Sequence, residues 1–152
     1  TPGVIQLDSN SASVNAVEGT TATLNVSRTG GSLGALTIGY STVAGTASTS
    51  DFTTTSGTLS WASGNTDTKT ISIPITADAL ADSPETFTLN LGAPLVGGSI
   101  LGERQQSTIT IHTGFQNWIG TYFSPSEQSD PNIVGDDKDP DQDGLTNLAE
   151  FA

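Results

Sequence analysis

The sequence predicts an all-β protein: an antiparallel β-sandwich over residues 1–113, followed by a small helical appendage over residues 114–152. Three observations carry this prediction. Apolar and polar residues alternate at period two in short runs through the first 113 positions. Clusters of Gly, Asn, Asp and Ser cut those runs into about seven strands. No stretch between them is long and periodic enough for a helical crossover, which excludes a parallel sheet. Beyond residue 113 the apolar spacing changes from two to between three and four.

Val4, Ile5 and Leu7 open the first strand, and Val14 to Val17 continue it after a polar break. Ala22, Leu24 and Val26 alternate against Thr23, Asn25 and Ser27. Gly30-Gly31 turns the chain, and Leu36, Ile38 and Tyr40 form the next inward face. Leu59 and Trp61 follow, then Ser63-Gly64-Asn65 turns again. Ile71, Ile73 and Ile75 lie opposite Thr70, Ser72 and Pro74, and a proline without an N–H points to an edge or a bulge. Phe87, Leu89 and Leu91, then Ile109 and Ile111, complete the set.

Composition narrows the function. The 152 residues carry a net charge of −12 and no cysteine, which excludes disulfides, thiolate metal sites and a cysteine nucleophile. Residues 114–152 hold eight acids against Lys138 alone. An acidic balance of this kind repels nucleic acid and anionic membranes and attracts divalent cations. No run reaches the ~18–20 apolar residues of a membrane span. Serine and threonine supply over a quarter of the chain, a composition expected of a secreted, extracellular cell-surface β-protein whose leader has been removed. His112 is the single histidine and no nucleophile elbow accompanies it, so no catalytic residue is expected.

In the tail, Phe115, Trp118, Ile119, Tyr122 and Phe123 fall on one stripe of an amphipathic helix. The sandwich, the segment around Leu148 and Phe151, and another molecule are the candidate surfaces for it. A polar connector containing Pro125 and Pro131 follows. Residues 139–150 then read as a calcium loop. Asp139, Asp141 and Asp143 occupy positions 1, 3 and 5, Gly144 position 6, Leu145 position 7, Asn147 position 9 and Glu150 position 12. Calcium takes six to eight hard oxygens at roughly 2.3–2.6 Å. The 1-3-5 spacing aims three carboxylates at one point, Gly144 permits the sharp turn, Leu145 offers its carbonyl, and Glu150 can close the shell with two oxygens. This pattern resembles the loops of EF-hands, dockerins and thrombospondin type 3 repeats. No entering helix abuts it, so a single site is expected rather than a paired sensor. The whole tail resembles a C-terminal module of secreted bacterial multidomain proteins.

A second resemblance covers residues 3–112. Ala16-Val17-Glu18-Gly19, Val26-Ser27-Arg28-Thr29-Gly30-Gly31, Gly45-Thr46-Ala47, Asp51-Phe52, Ser56-Gly57-Thr58-Leu59 and Pro84-Glu85-Thr86-Phe87-Thr88-Leu89 follow in order, with Thr108-Ile109-Thr110-Ile111 closing the set. The segment resembles a Calx-beta domain. The resemblance implies an immunoglobulin-like sandwich that binds Ca2+ through acidic loops at one end. Such domains occur in sodium–calcium exchangers, integrin β4 and bacterial surface adhesins. The family's acidic positions fall on Glu18, Asp51, Asp78 and Asp82, with Glu85 nearby. The chain departs from the family where strong sites carry consecutive aspartates: it has Ala77-Asp78-Ala79, and Thr113-Gly114 after the last strand. Fewer carboxylates imply weaker affinity. Two readings of these acids stand: a weak calcium site, or carboxylates that cap turns or pair with Arg28 or Lys69.

The expected function is a calcium-stabilised structural or adhesive module of a bacterial surface protein. Protein–protein contacts are its expected partnerships. The alternatives are a self-assembling subunit of an extracellular filament, a homopolymer joined through edge strands or the tail, and a carbohydrate-binding module that would need Trp61 or Tyr40 exposed. Alternation places both of those rings inward.

Overall fold

The computed structural model describes residues 1–77, 84–98, 100–142 and 144–151. The chain divides into two compact units, whose described residues are 1–77 with 84–98 and 100–111, and 112–142 with 144–151.

The first unit is a two-sheet sandwich. Its strands are β1 (Val4–Leu7), β2 (Ser13–Val17), β3 (Thr21–Thr29), β4 (Leu36–Ala44), β5 (Ser56–Trp61), β6 (Lys69–Pro74), β7 (Glu85–Val96), β8 (Ile100–Leu101) and β9 (Gln106–His112). One sheet runs β6-β3-β1-β8 and the other β2-β9-β7-β4-β5. All named pairings are antiparallel except β1 with β8. Val14–Val17 does not continue the first strand. A short 3-10 turn at Ser9–Ser11 carries the chain across, so β1 and β2 lie in different sheets. The polar break expected from sequence is therefore a sheet switch. Pro74 ends β6, an edge strand, where its missing N–H costs no ladder bond.

Alternation builds the core. Ile5, Leu7, Leu24, Val26, Ile71 and Ile73 from one sheet face Leu36, Ile38, Trp61, Phe87, Leu89, Ile109 and Ile111 from the other. Trp61 is 1% exposed, and its indole N–H donates to the Asp67 carbonyl at 2.7 Å. Tyr40 is only partly buried, because β4 shifts register against β7 between Ile38 and Gly39 and breaks the strict alternation. With Trp61 enclosed, the ring required for carbohydrate stacking at that position is not on the surface.

The inward parity of β3 ends on a cation. Arg28 follows Ala22, Leu24 and Val26 on the same face and is 2% exposed. Its Nε and Nη2 donate to the Pro2 carbonyl, Nη1 to those of Ala62 and Asn65, and Nη2 also to those of Leu33 and Gly34. A buried charge demands such compensation. The N-terminal segment, the β3–β4 loop and the β5–β6 loop are thereby tied to one pole.

In the second unit, α1 (Gly114–Tyr122) and α2 (Asn147–Phe151) are joined by turns. The connector is not plain coil. Ser124 and Glu127 form a reciprocal cap: the Ser124 N–H donates to Glu127 Oε2 at 2.7 Å and the Glu127 N–H to Ser124 Oγ at 3.4 Å. Of the three candidate surfaces for the aromatic stripe, α2 is one that it meets. Phe115 and Phe151 pack edge to face at 5.8 Å, and Trp118 lies 6.3 Å from Phe151.

Candidate metal centre

Of the sandwich acids named from the family resemblance, the described ones, Glu18, Asp51 and Glu85, come to the pole opposite Arg28. β3 has nine residues, so the turn carrying Glu18 lies about 26 Å from Thr29 at ~3.3 Å per residue. At that end the Ile75 N–H donates to the Thr20 carbonyl at 2.8 Å and the Thr76 N–H to the Asp51 carbonyl at 2.9 Å. Gly19, at φ +73°, sits against Ala77. Glu85 opens β7 opposite Ile111. The turn with Glu18, the loop with Asp51, and Thr76-Ala77 leading toward Asp78 are thus joined by backbone bonds and contact. Asp78 and Asp82 lie outside the described residues.

The Asp51 loop is held from below. Phe52 is buried and stacks on Phe87 with ring centroids 3.8 Å apart and planes 8° from parallel. Ala47 is fully buried, and its N–H donates to the Thr86 carbonyl at 2.9 Å. The loop does not lead away from the core. Two of its residues are inserted into it.

Asp51 Oδ2 accepts the Ser48 N–H at 2.6 Å, and Oδ1 accepts the Ser50 hydroxyl at 3.4 Å. The Ser48 N–H is the chief reason its carboxyl sits below the ordinary value. Desolvation opposes this, and hydrogen bonds with the Ser48 side chain, Glu85 and Ser50 add to it. The Asp51–Glu85 contact brings two carboxyls together. Two carboxylates so placed repel when both are ionised, and a cation between them would relieve that repulsion. Asp51 thus caps the Ser48 turn, as one of the two readings has it, and also faces a second carboxyl. Pairing with Arg28 is overturned, since that guanidinium is engaged by carbonyls at the other pole. Lys69 registers with Val26 and lies toward that same pole.

In the tail, Asp139 Oδ2 accepts the Gly144 N–H at 3.1 Å, which closes the loop from position 1 to position 6. Gly144 at φ +97° supplies the turn, and Gln142 at φ +61° adds a second left-handed residue. Thr146 caps α2, its Oγ1 accepting the Ala149 N–H at 3.4 Å. Asn147 is 0% exposed. Its Nδ2 donates to the Ile133 and Gly135 carbonyls at 2.6 and 2.9 Å, and its N–H donates to the Lys138 carbonyl at 2.7 Å. Asn147 is therefore a brace between connector and loop, a role its loop position did not signal. Its Oδ1 and Asp139 Oδ1 are buried acceptors without a hydrogen-bond donor. Oxygens left so are costly, and a hard cation satisfies them. Asp141, Leu145 and Glu150 are exposed on the same loop and helix, and Asp143 lies outside the described residues. Among the described residues, no three acidic or histidine side chains already converge as a metal cluster.

A two-sheet sandwich with its acidic loops gathered at one pole defines an immunoglobulin-like class of domain. The Calx-beta domain family matches residues 1–113, and the chain belongs to that family. Among solved structures, the apo form of the Calx CBD1 domain is similar at TM-score 0.66 and 22% identity, covering 72% of this chain and 96% of that one. The Calx CBD2 domain is similar at TM-score 0.66 and 18% identity, covering 79% and 91%. A putative carbohydrate binding protein from Bacteroides ovatus shares the fold at TM-score 0.53 and 15% identity, covering 70% of this chain and 36% of that one. No curated protein matches. The family match ends at residue 113, so the tail loop stands on its own geometry.

Proposed function

We propose that the chain is a calcium-stabilised extracellular structural or adhesive module that binds Ca2+ at two places. Glu18, Asp51 and Glu85 serve the sandwich pole, and the family resemblance adds the positions Asp78 and Asp82. Asp139, Asp141, Asp143, the Leu145 carbonyl and Glu150 serve the tail loop, with Asn147 Oδ1 beside them. The observation that carries the reading is the meeting of Asp51 and Glu85 at the pole where the family's acidic positions fall. The unsatisfied oxygens of Asp139 and Asn147 support the second site. The work expected of calcium here is mechanical: it neutralises repelling carboxylates and ties loops together.

Calorimetric titration with calcium tests the reading, and two events are expected. Asp51→Ala should weaken one of them while the sandwich still folds, because Phe52 and Ala47 anchor the loop independently. An isotherm identical to that of the parent would leave the sandwich acids as turn caps. Amide exchange with and without chelator should show greater loss of protection over residues 137–151 than in the sandwich strands. Calcium at a few millimolar should stabilise a site of roughly 0.1–1 mM affinity by about 1–2 kcal/mol.

A further inference from the structure

We propose that the cleft between α1 and the 139–150 loop receives an alkylammonium group, the lysine side chain of a basic partner segment, and that calcium in the loop displaces it. The cleft encloses about 440 Å3 and is lined by Trp118, Tyr122, Phe123, Pro140, Asp141 and Glu150. That size lies within the roughly 300–1,000 Å3 of small-ligand pockets.

Its two walls differ in chemistry. One is aromatic. Trp118 packs against Tyr122 at 5.4 Å and, edge to face, against Phe123 at 5.7 Å. Phe115 backs it at 5.8 Å. Tyr122 is 70% exposed, an unusual position for a ring with a helix neighbour available. The other wall carries two carboxyl groups. A cation over an aromatic face is attracted by the ring quadrupole, and Trp is the strongest partner. The carboxylates add direct attraction. The last turn of α1 adds the negative end of the helix dipole, and no basic residue of the helix neutralises it there. Residues 114–152 carry eight acids against Lys138, so a basic segment is drawn to this unit and an acidic one repelled.

The aromatic wall distinguishes the occupant from a bare metal ion, which gains nothing from a ring at this distance when its own shell is oxygen. A lysine stem packs on the rings while its ammonium reaches the carboxylates. The calcium dependence rests on the tail-loop reading above. Asp141 and Glu150 belong to both sites, so calcium that draws on them removes the ammonium's partners. Coupling of this kind is reciprocal.

The full chain, stripped of calcium, is titrated with Nα-acetyl-lysine amide and with Nα-acetyl-norleucine amide, which keeps the stem and lacks the side-chain ammonium; with both α-amines acetylated, that ammonium is the only charge that differs. Binding is followed by Trp118 emission, since Trp61 is enclosed. Lysine amide is expected to bind roughly three- to tenfold more tightly. Tyr122→Ala should abolish most of that preference with the far-UV spectrum unchanged, and Trp118→Leu, followed by calorimetry because the emission reporter is gone, should likewise reduce it although Tyr122 and Phe123 remain. Equal affinity for the two amides, or a preference that survives both substitutions, overturns the proposal. Added calcium should then weaken lysine amide binding. Calcium that binds by calorimetry yet leaves the amide untouched overturns the displacement. Retained lysine selectivity without any tail calcium event would instead refute the tail-loop reading and leave the cleft standing.

Discussion

At the pole where the N-terminal segment enters the sandwich, one buried cation is ringed by five main-chain carbonyls. At the other pole, carboxylates on separate loops face one another, and Asp51 and Glu85 meet. Each pole must hold loops together around charge. The first supplies both halves from its own chain, with the guanidinium as the hub and carbonyls as spokes. The second gathers carboxylates, and on the function proposed above calcium completes it from outside. A pole closed by its own arginine is indifferent to the medium. A pole closed by calcium, as proposed, would report on it. The difference separates permanent architecture from conditional architecture within one sandwich.

The largest effect expected from breaking this contrast is at Phe52. Phe52→Ala removes a ring stacked on Phe87 beneath the acidic pole and should cost about 3–5 kcal/mol in urea unfolding. Because Phe52 anchors Asp51, calcium affinity should fall with stability. Unchanged affinity in the folded variant would mean that the Asp51 loop is positioned by its hydrogen bonds alone.

Arg28→Met comes next. It leaves carbonyls of three segments without donors, and the expected loss is on the order of 3 kcal/mol. That loss should be the same with calcium or chelator present, since the hub is at the opposite pole. Arg28→Lys should recover part of it, because an ammonium offers three donors where the guanidinium offers five. A calcium-dependent loss would show that the poles are coupled.

Much of the sandwich was legible in the sequence because one face of each strand is buried, and period-two alternation records that face directly. Ile71, Ile73 and Ile75 and Phe87, Leu89 and Leu91 all proved inward. The sheet switch at Ser9–Ser11 was not legible, since a polar break looks the same whether the chain continues its strand or leaves for the other sheet. Arg28 did carry a signal, a charge at core parity, but only the fold shows which carbonyls answer it. The acids of the sandwich were named by motif. The Asp51–Glu85 contact joins segments far apart in sequence, and no local pattern records it. In the tail, Gly144 signalled the turn that it makes, whereas the bracing role of Asn147 depends on where the connector folds back.

Within the tail loop, Glu150→Gln and Asp141→Asn sharpen the difference between a coordinated ion and a diffuse acidic field. Each removes one negative charge. Position 12 needs a carboxylate that can give two oxygens, while an amide is tolerated at position 3. Calorimetry should show a clearly larger loss of calcium affinity for Glu150→Gln. Equal small losses would make the segment a polyelectrolyte that attracts calcium without enclosing it.

The smallest effect is the response of the acidic pole to protons. Asp51 has a carboxyl lowered from 3.8, first by the Ser48 N–H and, more weakly, by its other hydrogen bonds against desolvation. A group depressed in the folded state contributes stability above its unfolded value, and the contribution is lost as pH falls through the folded value. The pole should therefore weaken below about pH 4, the region of that unfolded value. Asp51→Asn should flatten this part of the stability profile, because an amide does not titrate. The group is partly solvated, so the change is modest, and it should be read as a shift in unfolding midpoint between pH 5 and pH 3. Calcium should enlarge the difference between parent and variant above pH 4, where the lowered Asp51 carboxyl is ionised and can bind the ion. A parent and variant whose profiles stay parallel through that range would assign the acid sensitivity of the fold to other carboxylates and leave Asp51 a turn cap.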